Sequence, residues 1–528
     1  MVGKRTIPLH ALLRDAGIQA SAGLADPAIH GISVDSRTTA RGTLFVAIPG
    51  TAQDGHEFIG DAVARGAAAV IAERVPAGTP PVPFVRVDSA RLAIALLAAA
   101  WYGHPARTLR LIGITGTVGK TSVLSMLEAM VVGAGRQAGT IGSLGLRIAG
   151  ETVEQSSYTV PDPLTLHRQL AAVVAAGCEL AAMEVTSHAL VQQRVGGLRF
   201  DTGVFTNLIP LEHAEFHPNF RAYVAAKARF FDHVAPDAPV IYNADDRAVR
   251  RLVRERAAAP IGCGTMRTAD VRVRTAATSP EGTRLSLEVR APLPRLDGER
   301  VATGVVPLEL RIIGRSNVAN AALAATTALV LGVDPAAIRR ALAALPPARR
   351  RMEVVHRGAI LVIDDTVGHP DSVSAVCEAV VSLAPRRVHV AWAVRGQRGR
   401  RINRYNAEAF AIWAPRLPLG RVVVTRSDDT VDDRNRVTDG EYRAFIGPLE
   451  RRGVAFESEP SLEHAIGRVL GAVAQGDLVL LLGAQGMDRG RDFARAWLAQ
   501  NGADLLSQVQ KLQPQQRPHR ARPDQEET

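Results

Sequence analysis

Cysteine is almost missing from this 528-residue chain: Cys178, Cys263 and Cys377 are the only three, they lie far apart, and no CxxC pair occurs. No disulfide framework or zinc site is readable from that count, and the plain role of small buried side chains suits all three. Aromatic residues make up only 4%. That is too few for an aromatic-rich β sandwich, and abundant alanine favours helices packed on sheets. Long apolar runs are missing too. LAIALLAAAW falls well short of the roughly 20 residues that a membrane span needs. The N-terminal MVGKRTIPLHALLRDAGI lacks a secretory apolar core. These absences lead us to expect a cytoplasmic protein with no membrane span.

What the chain has is apolar bulk and positive charge. Hydrophobic residues reach 47%, enough for a large interior, and the length suggests three domains. The formal net charge is +11, carried mostly by arginine. The arginines are spread along the chain without interleaved aromatics. That pattern argues against nucleic acid and for a small acidic or phosphorylated partner.

Three blocks and a tail emerge along the chain. In residues 1–102, GTLFVAIPG and AAAVIAE read as strands and EFIGDAVARGAA as a helix, a small α/β unit. In residues 103–347, TLRLIGITG, ELAAMEVTSHA, TGVFTNL and APVIYNADD read as strands ending in polar residues. Ligands gather at such strand ends in parallel sheets. In residues 348–505, AILVIDDT, RVHVAWAV, GRVVVTRSDD and DLVLLLGAQG read as the strands of a second, doubly wound unit. Residues 506–528 are rich in Gln, Pro and Arg and are expected to be disordered. No internal repeat is visible.

The sharpest local signal is GITGTVGKTS at 113–122. A β run precedes it, and TSVLSMLEAMVVGAG follows with apolar residues at helical spacing. Strand, glycine loop and helix form the setting of a phosphate loop. Lys120 is placed to meet the β- and γ-phosphates and Thr121 to meet Mg²⁺. The general spacing wants a glycine where Ile114 stands.

TGTVGKTS resembles the nucleotide loop of the Mur ligases, the ATP-dependent amide-forming enzymes of peptidoglycan precursor synthesis. The likeness runs through roughly residues 25 to 500 and is greatest to the MurE branch, which adds the third amino acid of the stem peptide. It implies a three-domain α/β architecture: a central phosphate-loop ATPase domain between a small N-terminal UDP-sugar domain and a C-terminal amino-acid domain. By this resemblance Gly116, Thr117, Val118, Gly119, Lys120, Thr121 and Ser122 hold ATP, with Val118 in place of an asparagine. ISVDSR (32–37) and DGH (54–56) match the nucleotide-sugar domain and imply a contact at Ser36. Asp35 and Asp54 fit direct contact and simple turn chemistry equally well. YTVPDP (158–163) resembles the Thr-Thr-Pro substrate segment and brings in Thr159 and Val160. In MEVTSHALVQQRV (183–195), Glu184 is the implied Mg²⁺ ligand. Thr186, Gln192 and Arg194 hold the acidic sugar peptide. TNLIPLEHAEFH (206–217) resembles Asn-Leu-x-x-Asp-His-Leu-Asp with one extra residue and makes His213 a metal ligand. AYVAAKARFF offers Lys227, whose family counterpart is carbamylated and helps hold a second Mg²⁺. Lys120, Lys227 and His213 form the implied catalytic set. IGRSNVANAALAA makes Asn317 an adenine contact, while Asn317 and Asn320 also suit helix capping. NADD (243–246) matches as well.

The likeness loosens in the last block. RRME (350–353) resembles Gly-Arg-Met-Glu and puts Arg351 in the ATP-binding arginine place. DDTVGHPDS resembles Asp-Tyr-Ala-His-Thr-Pro-Asp. Asp365 keeps the ATP-side aspartate, but Gly368 takes the histidine place. Gly-Asp-Arg-Asp appears as GQRGRR (396–401). Asp-Asn-Pro-Arg, which selects diaminopimelate, appears as DDTV (428–431). Gly-Lys-Gly-His-Glu appears as GAQGMD (483–488). The arginine groups 349–351 and 395–404 suit an anionic cleft and a solvated surface equally.

The expected activity is therefore ATP-dependent addition of a free amino acid to a UDP-N-acetylmuramoyl dipeptide through an acyl phosphate, by a monomer. The amino acid is expected not to be diaminopimelate. Two alternatives stand beside it: a related ligase with another acidic acceptor, and a non-catalytic nucleotide-binding regulator or scaffold.

Overall fold

The computed structural model describes residues 5–50, 53–75, 81–156, 158–210, 217–346 and 349–511. The first block is a four-stranded, all-parallel sheet of Gly31–Ser33, Thr43–Ala47, Ala67–Ala72 and Phe84–Arg86, in that order. Leu9, Leu12 and Leu13, with Ile94 and Leu97, cover one face at Leu44, Val46 and Ile71. Ile59 and Ala62 cover the other at Phe45 and Val70. A sheet covered on both faces reads as unbroken apolar runs, which is why these strands are legible in the sequence.

The second sheet has eleven strands. Seven run parallel in the order Ala138–Gly142, Leu180–Val185, Arg110–Thr115, Thr202–Phe205, Pro239–Asn243, Ala259–Gly264 and Val271–Ser279. From Arg110–Thr115 the chain first fills one side of the sheet. After Leu180–Val185 it crosses to the other side. The loop after Thr115 therefore opens where the strand order reverses, the place where such sheets bind ligands. The strands Val271–Ser279, Gly282–Val289 and Gly304–Leu310 extend the sheet beyond the reading from sequence. They alternate polar and apolar residues, a weaker signal than the buried runs.

The third sheet has six strands in the order Glu353–Arg357, Leu361–Asp365, Leu478–Gly483, Val388–Ala393, Leu419–Thr425 and Glu457–Glu459. Only the first pair is antiparallel. The four expected strands are present, with one added at each edge. Trp392 packs against Phe410 and Phe445 at 5.2 and 5.1 Å in its core.

The chain divides into two compact units. One holds the first two sheets, and the other holds the third sheet with residues 278–283 and 312–315. The helix Gly490–Lys511 continues past residue 505, so the tail expected to be disordered begins as helix, and only 512–528 lie outside the described residues. Among the described residues no helix is long and apolar enough to cross a membrane.

Candidate functional site

The loop 116–119 joins the strand Arg110–Thr115 to the helix Lys120–Gly133. Two glycines in it are obligatory. Gly116 has φ +137°, and a Cβ there would lie 1.9 Å from Thr206 Oγ1. Gly119 has φ +87°, and a Cβ there would lie 2.4 Å from Asn320 Oδ1. As N-cap, Gly119 has no side chain to occupy the first helical N–H groups, which leaves them for an anion. The loop is braced from below. Asn207 Oδ1 accepts from Val118 N at 2.9 Å, and Thr206 Oγ1 donates to Val118 O at 2.7 Å. Thr117 Oγ1 lies 2.9 Å from the Tyr223 hydroxyl. Lys120 folds back, and its Nζ donates to Gly116 O at 3.1 Å and Thr117 O at 2.8 Å.

Neighbouring strand ends supply the acid. Glu184 pairs in register with Ile114, so its carboxylate emerges one strand from the loop. It is 1% exposed. Its Oε1 accepts from Thr121 Oγ1 at 2.9 Å and from Ser143 N at 2.8 Å. A hydroxyl and a carboxylate side by side at a phosphate loop are hard oxygen donors that suit Mg²⁺ together with phosphate oxygens. His213 lies outside the described residues, and among the described residues no group of three acids, histidines or cysteines forms a complete metal cluster.

Lys227 sits on the helix Phe220–Ala228 and is 1% exposed. Its Nζ lies 5.2 Å from the centre of the Tyr223 ring. Burial and the nearby Lys120 cation hold its pKa well below the usual lysine value. Both effects favour the neutral amine over the cation. Composition carries a signal here that motif reading passed over. The chain contains only four lysines, at positions 4, 120, 227 and 511, against dozens of arginines. Arginine cannot lose its proton, so lysine at two loop-side positions marks chemistry arginine cannot do. Two more residues escaped the sequence reading. His217, which closes the TNLIPLEHAEFH stretch, contacts Ser187 Oγ through Nε2 at 3.0 Å, and its ring lies 5.3 Å from that of Tyr223. Tyr223 thus links the loop, His217 and Lys227.

The other expected side chains lie on the same unit. Ser143 Oγ is 3.1 Å from Thr159 Oγ1. Val160 is a core residue, and only its carbonyl faces the site, accepting from Arg194 Nη1 at 2.7 Å. Gln192 Oε1 accepts from Arg194 Nε at 3.0 Å. Thr186 caps the helix Ser187–Val191. Ser36 is buried at the start of the short turn Ser36–Thr38 in the first sheet's block. Asp35 and Asp54 act as turn caps, accepting from Arg37 N at 2.9 Å and His56 N at 3.1 Å. Asn317 and Asn320 are buried at the third and sixth positions of the helix Arg315–Val330, so neither is its cap. Ser122 is half-buried in the first turn after the loop.

In the second unit, Arg351 is exposed and donates to Thr366 O at 3.3 Å. Asp365 is turned inward, where Oδ2 accepts from Met352 N at 2.7 Å and burial pushes its pKa up to about 6. His369 caps the helix Pro370–Leu383, with Nδ1 accepting from Ser372 N at 3.3 Å. Burial holds its pKa down to about 4, which keeps the ring neutral and able to accept. Arg395 donates from Nη1 to Gly368 O at 3.1 Å, and a Cβ on Gly368 would meet that nitrogen at 3.4 Å. A cavity of about 440 Å³ is lined by Arg349, Arg350, Arg351, Thr366, Ala484, Gln485 and Asp488.

Loop, uncapped helix and facing carboxylate define a phosphate-loop α/β protein built to bind a nucleoside triphosphate. Comparison with known proteins narrows this. The model of the Mur ligase family catalytic domain matches residues 28–102, that of the Mur ligase middle domain 114–328, and that of the Mur ligase glutamate ligase domain 350–485. A Solibacter usitatus protein named UDP-N-acetylmuramoyl-L-alanyl-D-glutamate–2,6-diaminopimelate ligase is 33% identical over 87% of this chain and 89% of its own. A Geobacillus thermodenitrificans protein of the same name is 34% identical over 87% and 90%. A solved ligase of that name superposes with TM-score 0.67 at 21% identity, covering 94% of this chain and all of its own (100%). MurF ligase from Thermotoga maritima, in complex with ADP, superposes with TM-score 0.59 at 19% identity, over 89% of this chain and 98% of its own. These two structures speak for the fold alone. The chain belongs to the Mur ligase family.

Proposed function

We propose that this protein is an ATP-dependent ligase that joins a free amino acid to a UDP-N-acetylmuramoyl dipeptide in peptidoglycan precursor synthesis. It acts in the cytoplasm as a monomer. One observation carries the reading: Thr121, one residue after Lys120, donates to the buried carboxylate of Glu184 across the phosphate loop.

A carboxylate does not acylate an amine at neutral pH, because oxide is a poor leaving group. Transfer of the γ-phosphoryl of ATP to the acceptor carboxylate makes an acyl phosphate, which the amine attacks with release of phosphate. Lys120 must leave its two loop carbonyls to meet the phosphates, and the uncapped helix start receives their charge. Mg²⁺, when bound, supplies charge neutralisation at the phosphates, and Thr121 and Glu184 are the described residues that would hold it. Burial favours the neutral amine form of Lys227 that carbamylation needs. That amine nitrogen bonds CO₂, a proton leaves to solvent, and the side chain becomes a carboxylate-like anionic ligand. ¹³CO₂-labelled protein should show one carbamate carbon signal, absent in Lys227→Ala. Equal signals in both would remove this role.

The curated relatives are named for 2,6-diaminopimelate, but the loop 428–431 here is spent on structure. Asp429 Oδ1 accepts from Leu462 N at 2.7 Å, and Oδ2 accepts from Ser461 Oγ at 2.9 Å. Val431 stands in the arginine place. With no guanidinium from this loop to grip a distal carboxylate, the incoming amino acid is one other than diaminopimelate. The test is phosphate release with ATP, Mg²⁺, UDP-N-acetylmuramoyl-L-alanyl-D-glutamate and each amino acid in turn. Release should need acceptor and amine together. Release with no amino acid in the panel counts against the proposal, and retained acceptor binding would then favour a scaffold.

A further inference from the structure

Among the described residues Arg350 is the one buried arginine. It is 7% exposed, and its backbone has φ +55°. That left-handed conformation suits glycine, the residue the family pattern has at this place, and a branched-out side chain there must be offset by what it does. Its guanidinium donates to Gly483 O at 2.5 Å, to Ala484 O at 2.9 Å, to Asp364 Oδ1 at 3.3 Å, and to Asp488. Its backbone N–H donates to Glu353 Oε2 at 2.9 Å, and Arg491 holds the other oxygen of Glu353 at 2.7 Å. One side chain thus ties the end of the strand Leu478–Gly483 and the turn Gln485–Met487 to the hairpin of Glu353–Arg357 and Leu361–Asp365.

The turn held in this way is GAQGMD, one of the stretches that departs from the family pattern. Two departures therefore face each other. An arginine fills the glycine place, and its guanidinium reaches the aspartate that stands for the family glutamate. They act as one device: among the described residues Arg350 is the cation paired with Asp488, and the same guanidinium binds both carbonyls.

We propose that Arg350 is a positioning residue for the incoming amino acid: it fixes the 484–488 turn as one wall of the 440 Å³ cavity. This rests on the ligase reading of the second unit. The guanidinium of Arg350 is buried with Asp364, so losing the contacts to Asp364 and to the two carbonyls is costly and the clamp is held in place. Loss of the clamp loosens that wall and leaves the phosphate loop of the first unit untouched.

The test uses the full chain with Arg350→Gly, which removes the clamp while relieving the backbone, Arg350→Lys, which keeps a cation, and Asp488→Asn. Asp488 is 64% exposed, so its variant keeps the proposal testable if Arg350→Gly fails to fold. Two readouts apply. In deuterium exchange, residues 483–489 should exchange about tenfold faster in Arg350→Gly, with 113–122 unchanged. In phosphate release, with the amino acid that gives the fastest turnover, its KM should rise about tenfold in Arg350→Gly and about threefold in Asp488→Asn. The KM values of ATP and acceptor should stay within about twofold. Arg350→Lys should recover part of the loss. Unchanged exchange overturns the clamp whether or not the ligase reading holds. Faster exchange with an unchanged amine KM, or with an equal rise for ATP, overturns the positioning role. A wild-type protein that releases phosphate with no amino acid overturns the ligase reading and this proposal with it, while the exchange result still decides whether the clamp exists.

Discussion

The nucleotide loop at 116–122 and the strip formed by 350–371 and 483–488 are both strand-end turns on parallel sheets, yet they have diverged by different rules. At the loop, sequence pattern and geometry agree: glycines with no room for a Cβ, a lysine, and a threonine facing Glu184. In the strip the pattern is broken but the geometry is closed. Arg350 fills a glycine place, His369 caps a helix from a threonine place, and Arg395 stands against Gly368 where a histidine is missing. The loop binds through backbone N–H groups, and backbone donors leave the sequence little freedom. The strip is held by paired side chains, and pairs can change together. Single changes should therefore be costly throughout the first region, while the second should accept changes made in pairs.

The harshest break is Lys120→Ala. Removing the cation that serves the phosphates should lower acceptor-dependent phosphate release by about a thousandfold or more. The melting temperature should hold, because Lys120 is only half-buried and its bonds to Gly116 O and Thr117 O stay within its own loop. Surviving activity would mean that the loop does not bind ATP.

Next comes a pair of alanines placed on two glycines. In Gly116→Ala the new methyl would sit 1.9 Å from Thr206 Oγ1 at φ +137°. The loop must distort, and about 2–4 kcal/mol of stability should go with it, along with ATP binding. In Gly368→Ala the nearest atom is the end of a flexible arginine at 3.4 Å, and the loss should stay below about 0.5 kcal/mol. Chemical denaturation of the two variants compares the regions directly. Equal losses would erase the distinction.

A pH series separates the units by sign. His167 is 1% exposed in the first unit, and neither ring nitrogen has a hydrogen-bond partner. Burial, with His104 nearby, holds its pKa down to about 4 from the ordinary histidine value of 6.5. The unfolded chain then takes up a proton that the folded chain refuses, so stability present above pH 6.5 is lost as pH falls towards 4. The loss is at most about 3 kcal/mol. In the second unit, burial pushes Asp364 up to about 7 and Asp365 up to about 6. Stability from these two is fully present below about pH 3.8, falls as pH rises, and is lost once pH has passed 6 to 7. His369, held at about 4, works in the opposite direction there. Melts from pH 8 to 5 should show the first unit weakening with acid, and His167→Leu should flatten that slope.

What the sequence made legible follows the same division. Strands covered on both faces, such as Leu180–Val185 and Leu478–Gly483, read as unbroken apolar runs, and the loop reads from its glycines and lysine. The roles of Arg350, His217 and Tyr223 were not legible. Arg350 reaches Asp488 across 138 residues, and Tyr223 reaches Thr117 across 106. Such pairings exist only once the sheets have assembled. Asp35 and Asp54 fitted turn caps and substrate contact equally well in the sequence and are caps in the structure, while Val160 looked like a substrate residue and became core. Its neighbour Arg194 takes only the backbone carbonyl, which any side chain would supply.

The gentlest test is Val118→Asn, which restores the residue the family usually has in the loop. If the loop works through its backbone, the side chain here should matter little. The Val118 N–H is already held by Asn207 Oδ1 at 2.9 Å, and its carbonyl accepts from Thr206 Oγ1 at 2.7 Å and Asn207 Nδ2 at 3.0 Å. The side chain is half-buried and carries no polar atom. An asparagine adds one amide beside the phosphates and disturbs none of these bonds. The KM for ATP should change by less than about threefold, or about 0.7 kcal/mol, with kcat unchanged. A tenfold gain would show that the loop depends on side chains as the strip does, and the contrast between the two regions would fail at its strongest point.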